Sequence, residues 1–202
     1  MLPEVILRFR REYPAAEVRI QESKSEELFQ SLMRDEIKFF VQPGDGIRKK
    51  AGVTTELIYK EKLFLVAAPR TVTEEMIKEG TDDRILPELM RDLPFILLKK
   101  GHAIREKTDE ILERHGIIPH IFMEISSCIS AVQLAAAGLG VTIVPQRAVD
   151  VLGGADKFCC YRYDHEPDSW DINVVYKNDV YLDQMERCFI RLMKQVFGEN
   201  LS

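Results

Sequence analysis

Ala135-Ala136-Ala137-Gly138-Leu139-Gly140 leads directly into Val141-Thr142-Ile143-Val144-Pro145. The segment reads as the end of a tightly packed helix, a glycine turn and a buried strand. Small residues at 135 to 138 let a helix lie close to its neighbour, and Gly138 and Gly140 permit the positive φ that Val141 would resist. The run at 141 to 144 is mostly β-branched, and Pro145 stops the ladder. Ser126-Ser127 stands just upstream, at the predicted start of that helix. Free backbone N–H groups and hydroxyls there can hold a small anion or polar ligand.

The remaining chain divides into short elements of both kinds. Leu2, Val5, Ile6 and Phe9 predict an amphipathic helix over residues 2–11, ended by Tyr13-Pro14. Alternation at 17–21 predicts a half-buried strand. Ser23 and Glu26 have capping-box spacing before a helix on Leu28, Phe29, Leu32 and Met33. A short strand at 37–41 and a loop at Pro43-Gly44-Asp45-Gly46 follow.

Two strands, 53–59 and 63–68, are expected around a charged turn at Lys60-Glu61-Lys62. Thr71 and Glu74 predict a capped short helix reaching Glu79. Then come a buried strand at 94–98, a charged helix at 104–115, strand 120–125, helix 128–137 and strand 141–145. Strands at 157–163 and 170–177 precede the longest helix, 182–197, whose stripe is Leu182, Met185, Phe189, Leu192, Met193 and Val196. The alternation of strand and helix predicts α/β layering with parallel strands, each half forming its own sheet.

Composition narrows the function. The net charge is −5 over 202 residues, and the isoelectric point near 5.5 gives no electrostatic footprint for nucleic acid. DNA binding by this chain alone is not expected. No apolar run reaches bilayer-spanning length, so no membrane association is expected. Met1-Leu2-Pro3-Glu4 lacks the basic start and apolar core of a signal peptide, which points to the cytoplasm. Cys128, Cys159, Cys160 and Cys188 read as reduced thiols packed as small hydrophobes.

A set of short motifs in fixed order carries a family resemblance. They are Leu2-Pro3-x-Val5 with Phe9-Arg10 and Tyr13-Pro14, then Glu22 and Ser25 before a helix, then Leu63-x-Leu65-Val66-Ala67-Ala68-Pro69. Leu93-Pro94-Phe95-Ile96 follows, and the series closes with Ala136-Ala137-Gly138-Leu139-Gly140-Val141 through Pro145. In order and spacing the chain resembles the effector-binding (substrate-binding) domain of LysR-type transcriptional regulators, over nearly its whole length. The resemblance implies an α/β, type-II periplasmic-binding-protein-like fold, two lobes joined by two crossover strands and clasping a small ligand. Lobe I would take residues 1–68 and 165–202, and lobe II residues 69–164. It also implies an antiparallel homodimer, in which the first helix of one subunit meets a lobe II helix of the other. The full-length protein would be a tetramer and would touch DNA only through an N-terminal helix-turn-helix domain.

Three departures accompany the resemblance. The helix-turn-helix segment and its linker helix are absent from this sequence, which implies a fragment or a truncated protein. The strand that the family carries just before Leu2-Pro3 is missing, and with it hydroxyl residues that commonly meet the ligand. That strand is central in lobe I, so its loss leaves neighbouring backbone groups unpaired and the sheet weakened, or its gap filled by another segment. Lys38 follows Ile37 where aspartate is usual.

Ligands of open α/β sheets bind beyond the carboxyl ends of the strands. That rule selects three loops. In Ser23-Lys24-Ser25, the resemblance implies that Ser25 meets ligand, while plain helix capping competes for both serines. In Lys99-Lys100-Gly101-His102 a lysine can neutralise a carboxylate or belong to a solvated charge run. Ser126-Ser127-Cys128 offers hydroxyls and helix N–H groups to a carboxylate or phosphate. Gln42, Pro43 and Gly44 line the lobe I side of the mouth, and Thr142 opens toward the hinge or packs in the core. The expected effector-binding set is therefore Ser23, Ser25, Gln42, Pro43, Lys99, Gly101, Ser126, Ser127 and Thr142.

Enzymatic readings find no chemistry to stand on. There is no Gly-x-Ser-x-Gly elbow, no His-Glu-x-x-His and no phosphate loop. His165-Glu166 near Cys159-Cys160 lacks paired zinc spacing, and Gly138-x-Gly140 precedes a strand where a dinucleotide fingerprint follows one. No metal and no cofactor is expected. The reading is a non-enzymatic regulatory domain sensing a small organic anion. A solute-binding protein of the same fold serving transport is the alternative, and a two-lobed transferase or dehydratase is a third that lacks an acid, base or nucleophile.

Overall fold

The apolar stripe at the start of the chain forms helix α1 (Leu2–Glu12), which buries Val5 and Phe9. The computed structural model describes residues 2–44, 50–153, 157–163 and 169–199. Two units emerge, one of Met1–Lys60 with Trp170–Ser202 and one of Glu61–Ser169.

In the first unit, α1 packs on the long C-terminal helix α6 (Gln184–Glu199). Phe9 meets Phe189 edge-on with ring centroids 5.1 Å apart, and Tyr59 stacks on Phe197 at 5.1 Å. Such aromatic pairs add about 1 kcal/mol each beyond area burial. A second cluster joins Leu28 and Leu32 of α2 (Ser25–Met33) to Phe40 of β1 (Phe40–Pro43) and Val175 of β7 (Ser169–Lys177). β1 and β7 pair antiparallel, with Phe40 opposite Val175 and Gln42 opposite Asn173. Lys177 Nζ donates to Asp35 at 2.7 Å and fixes the end of α2 beside β7.

In the second unit, β3 (Pro94–Leu98) and β4 (His120–Ile125) run parallel, joined by α3 (Ala103–Arg114). Phe95, Ile96, Leu97 and Leu98 are all buried, as a continuous apolar run in a covered strand should be. The opening motif then folds as its residues dictate. α4 (Cys128–Ala136) ends in a Schellman turn: Leu139 N–H donates to the Leu134 carbonyl, and Gly138 N–H, at φ +83°, donates to that of Ala135. Gly140 passes so close to β3 that a Cβ would lie 2.5 Å from the Pro94 carbonyl oxygen. Val141 exchanges backbone hydrogen bonds with Pro94 and Ile96, each 2.8 Å. β5 (Thr142–Pro145) then pairs with the second half of β2 (Val53–Ala67), with β6 (Cys159–Tyr161) on the other side of that strand. α5 (Gln146–Leu152) follows β5 directly.

Several expectations are corrected. The segments 53–59 and 63–68 are one strand, β2. The charged triplet does not turn, because Glu61 is buried in an ion pair with Arg147 at 2.6 Å while Lys60 stays exposed. β2 therefore serves both units, and the halves do not have wholly separate sheets. Parallel pairing holds for β3 with β4, but β1–β7, β2–β5 and β2–β6 are antiparallel. The strand expected at 37–41 is displaced to Phe40–Pro43, and that at 157–163 shortens to Cys159–Tyr161. Thr71 caps nothing: a single 3₁₀ turn, Glu74–Met76, follows Thr73 instead.

Residues 17–21 form no strand, and Ile20 is 57% exposed. Alternation specifies a face, but a strand also needs a neighbour to bond, and none of the described strands pairs with this segment. It lines a cavity of about 900 Å³ together with residues 36–41, Ile58 and Phe189. This is the region in which the resemblance implied an unpaired sheet. Asp45, Gly46, His165 and Glu166, named in the sequence reading, lie outside the described residues.

Candidate ligand-binding site

The parallel register of β3 and β4 sets Leu98 opposite Ile125, so their two outgoing loops start side by side. Lys99 N–H donates to the Ile125 carbonyl at 2.9 Å and ties the loops together. Lys99, Lys100 and Gly101 are thereby brought next to the segment that carries Ser126 and Ser127. Gly101, at φ +87°, lets that loop turn, closed by His102 N–H on the Lys99 carbonyl. Its contribution is backbone conformation, with no side chain to offer a ligand.

Ser127 is the N-cap of α4, and its Oγ accepts from Ser130 N–H at 3.3 Å. Ala131 N–H takes the Ser127 carbonyl. The N–H groups of Cys128 and Ile129 then have no acceptor within the helix, as the geometry of any first turn requires. Ser126 and Ser127 are both exposed, and each hydroxyl can still donate. Burial raises the pKa of the Cys128 thiol, keeping it neutral beside this turn. The arrangement suits a carboxylate or phosphate, which the helix dipole also favours.

Arg105 braces both loops from beneath. It is 4% exposed, donates through Nη1 to the Leu98 carbonyl at 2.8 Å and to the Glu124 carboxylate, and through Nε to Asp109. Burial opposes its charge, but the hydrogen bonds to Glu124 and Asp109 prevail and raise its pKa. The Arg105 hydrogen bond in turn holds the Glu124 carboxyl below its ordinary range, with Lys100 and Lys99 adding attraction. Arg105 was not singled out in the sequence, where it reads as one more charge on a charged helix.

A separate group of polar residues lies within the first unit. Gln42 and Asn173 are 3% and 0% exposed, and cross-strand pairing puts their side chains on one face. Pro43 ends β1, and Gly44, at φ +73°, follows with its N–H on the Asp171 carbonyl at 2.8 Å. A Cβ on Gly44 would meet Trp170 Nε1 at 3.2 Å. Asn173 was missed in the sequence, although an asparagine inside Ile172-Asn173-Val174-Val175 is the one polar break in that run.

Ser23 and Ser25 do not cap α2. Lys24 is the N-cap, with no side-chain hydrogen bond, while Ser23 Oγ donates to the Glu27 carboxylate and Ser25 is an exposed first helical residue. Thr142 sits in β5 opposite Val66, 1% exposed, its hydroxyl without a partner among the described residues. The four cysteines are free thiols, and burial beside Cys159 and Asp150 pushes Cys160 up to about 11. Among the described residues no group of three or more His, Cys, Asp or Glu is placed to hold a metal, and no helix is long and apolar enough to cross a membrane.

Residues 1–198 match the LysR substrate binding domain. The HTH-type transcriptional regulator CzcR of Bacillus subtilis (strain 168) is 24% identical over 192 residues, which are 95% of this chain and 61% of that protein. The chain thus spans about three fifths of the length of this relative. Among solved structures, the Corynebacterium glutamicum OxyR C206 mutant superposes with a TM-score of 0.80 at 23% identity, covering 98% of this chain and 60% of that one. The Synechocystis PCC6803 CcmR regulatory domain in complex with 2-PG superposes with a TM-score of 0.79 at 17% identity, covering 96% and 90%. These likenesses establish the α/β, type-II periplasmic-binding-protein-like fold.

Proposed function

The chain belongs to the LysR substrate-binding domain family, a family of transcriptional regulators rather than enzymes, and on that premise we propose that it senses a small organic anion. The observation that carries the reading is the start of α4. Two donor hydroxyls and two helix N–H groups without helical acceptors meet there beside the Lys99-Lys100 loop. Each charge-assisted hydrogen bond to an anion contributes about 1.5–3 kcal/mol. The neighbouring fold of the CcmR regulatory domain was solved with 2-PG, which supports a small ligand for a domain of this shape.

In the whole protein, the ligand shifts the population of dimer conformations and so alters DNA binding by a helix-turn-helix segment, in the cytoplasm. The HTH-type name of the relative supports that assignment, and nothing in the named relatives points to transport. Leu7 on α1 and Ile129 on α4, 59% and 39% exposed, are apolar positions suited to an antiparallel homodimer.

Thermal melting against organic acids, amino acids and sugar phosphates tests the reading. A ligand at about 100 times its Kd adds about 2.7 kcal/mol and raises Tm by roughly 5–10 °C. The double variant Ser126→Ala with Ser127→Ala is expected to lose that shift. A rise produced by neutral compounds alone, or an undiminished rise in the double variant, overturns the assignment.

A further inference from the structure

The two apolar clusters of the first unit meet at an opening. Phe9, Ile58 and Phe189 belong to the cluster built on α1 and α6, Leu28 and Phe40 to the cluster under α2, and all five line the same cavity of about 900 Å³. Two stretches of chain border it, residues 17–22 and residues 36–41. Among the described residues β1 is the last strand of its sheet, paired with β7 on one edge only. Across the opening, residues 17–23 make no backbone hydrogen bond among the described residues. Ala16 N–H closes on the Tyr13 carbonyl before them, and Leu28 N–H on that of Lys24 after them. Val18 nevertheless packs on the α1–α6 cluster, so the segment is docked without a ladder, while Val41 stands 40% exposed on β1.

We propose that this cavity is a docking slot for one extended polypeptide segment of about six apolar residues, which completes the sheet by strand addition. Size, edges and faces each select that occupant. A six-residue strand is about 20 Å long, stands about 4.8 Å from each neighbour and takes about 10 Å between the layers on its faces, roughly 1000 Å³ in all. Its N–H and C=O groups alternate along both edges, so it serves the open edge of β1 and the unbonded backbone of residues 17–23 together. A small apolar ligand fills the space but leaves both rows of backbone groups to water. Because one cluster covers each face, the strand carries apolar side chains on both sides, a continuous run rather than an alternating one. The described strands of this chain already have their pairings, so the segment comes from polypeptide outside these 202 residues. It enters beside Leu2, which opens α1 and lines the slot. The slot lies wholly in the first unit and stands apart from the anion reading at α4 in the second.

Strands fused to the N-terminus of the full chain test the slot at high effective concentration, since Leu2 places the tether at its edge. A panel of hexapeptides of Val, Ile and Leu is joined to Met1 through about eight Gly and Ser residues, whose reach of about 15 Å admits the strand in either direction. In at least one fusion the amides of residues 18–21 are expected to exchange about 100-fold more slowly than in the parent chain, with Tm raised by about 5 °C or more. Proline at the second and fifth strand positions keeps the apolar bulk, removes two donors and is expected to abolish both effects. Ile20→Asp, at a wall position that is 57% exposed, is expected to abolish them too, while leaving Tm of the unfused chain within about 2 °C. Equal protection from the proline fusions or from octanoate makes the cavity a site for small apolar molecules. Protection of the unfused chain that grows with its concentration makes it an interface between copies. No added protection in any fusion means that no strand enters. Each of these three results overturns the proposal.

Discussion

Arg105 and Glu124 are joined across the β3–α3–β4 unit by a hydrogen-bonded ion pair in which the arginine is almost wholly buried and the carboxylate is half exposed. The same guanidinium holds the Leu98 carbonyl. One side chain thus governs where the strands before both ligand loops end. Arg105→Met should lower stability by about 2 kcal/mol, since it leaves a buried carbonyl open while the half-exposed carboxylates regain water. Urea denaturation checks the loss. The variant should also weaken anion binding without touching Ser126 or Ser127, and an unchanged thermal shift would remove Arg105 from the positioning role.

Glu124 makes a pH prediction of definite sign. Its folded pKa lies below the ordinary 4.5, first through the Arg105 hydrogen bond and then through attraction to Arg105, Lys100 and Lys99, with burial opposing. Such a carboxyl contributes stability that is fully present above 4.5 and is lost as pH falls through the lowered folded value. Between about pH 6 and pH 3 the parent chain should therefore lose more stability than Glu124→Gln. Parallel acid limbs in denaturation curves would show that the pair contributes nothing to acid stability.

The helix, turn and strand from α4 to β5 were legible because each residue speaks locally. Gly138 takes the left-handed position after the helix, and the β-branched run after it pairs on β2. Residues 17–21 misled because alternation describes a face and not a partner. Arg105 was hidden for the opposite reason. Its sequence neighbours are charged, yet it is the member of that helix face that turns under β3 and β4. Asn173 was visible as a polar break in an apolar run, but only the cross-strand register showed that Gln42 stands opposite it.

Gly140→Ala should be among the most damaging single substitutions in the chain. The added methyl would sit 2.5 Å from the Pro94 carbonyl oxygen and 3.3 Å from Ile96 Cγ1. The obstacle is backbone already committed to Val141 through the 2.8 Å bond, so it has little freedom to yield. A loss of roughly 3 kcal/mol, or failure to accumulate as folded protein, is expected. Gly153→Ala is the control, because its Cβ meets nothing within 4 Å. It should cost only the backbone strain of a residue other than glycine at φ +55° and ψ 167°, about 1–3 kcal/mol, with no steric clash added.

Hydrogen exchange distinguishes a docked segment from a hydrogen-bonded strand at residues 17–21. Without a ladder, the amides there should exchange within about tenfold of an unstructured chain, while the Ile96 amide, bonded to Val141 in the covered sheet, should be slower by about 10⁴ or more. Ile20→Thr gives an independent measure. At 57% exposure the side chain has little apolar area to lose, so the substitution should change stability by less than about 0.5 kcal/mol. A true half-buried strand would behave otherwise on both counts. Slow exchange with a loss above about 1 kcal/mol would mean that the segment is paired in solution and the cavity beside it is closed.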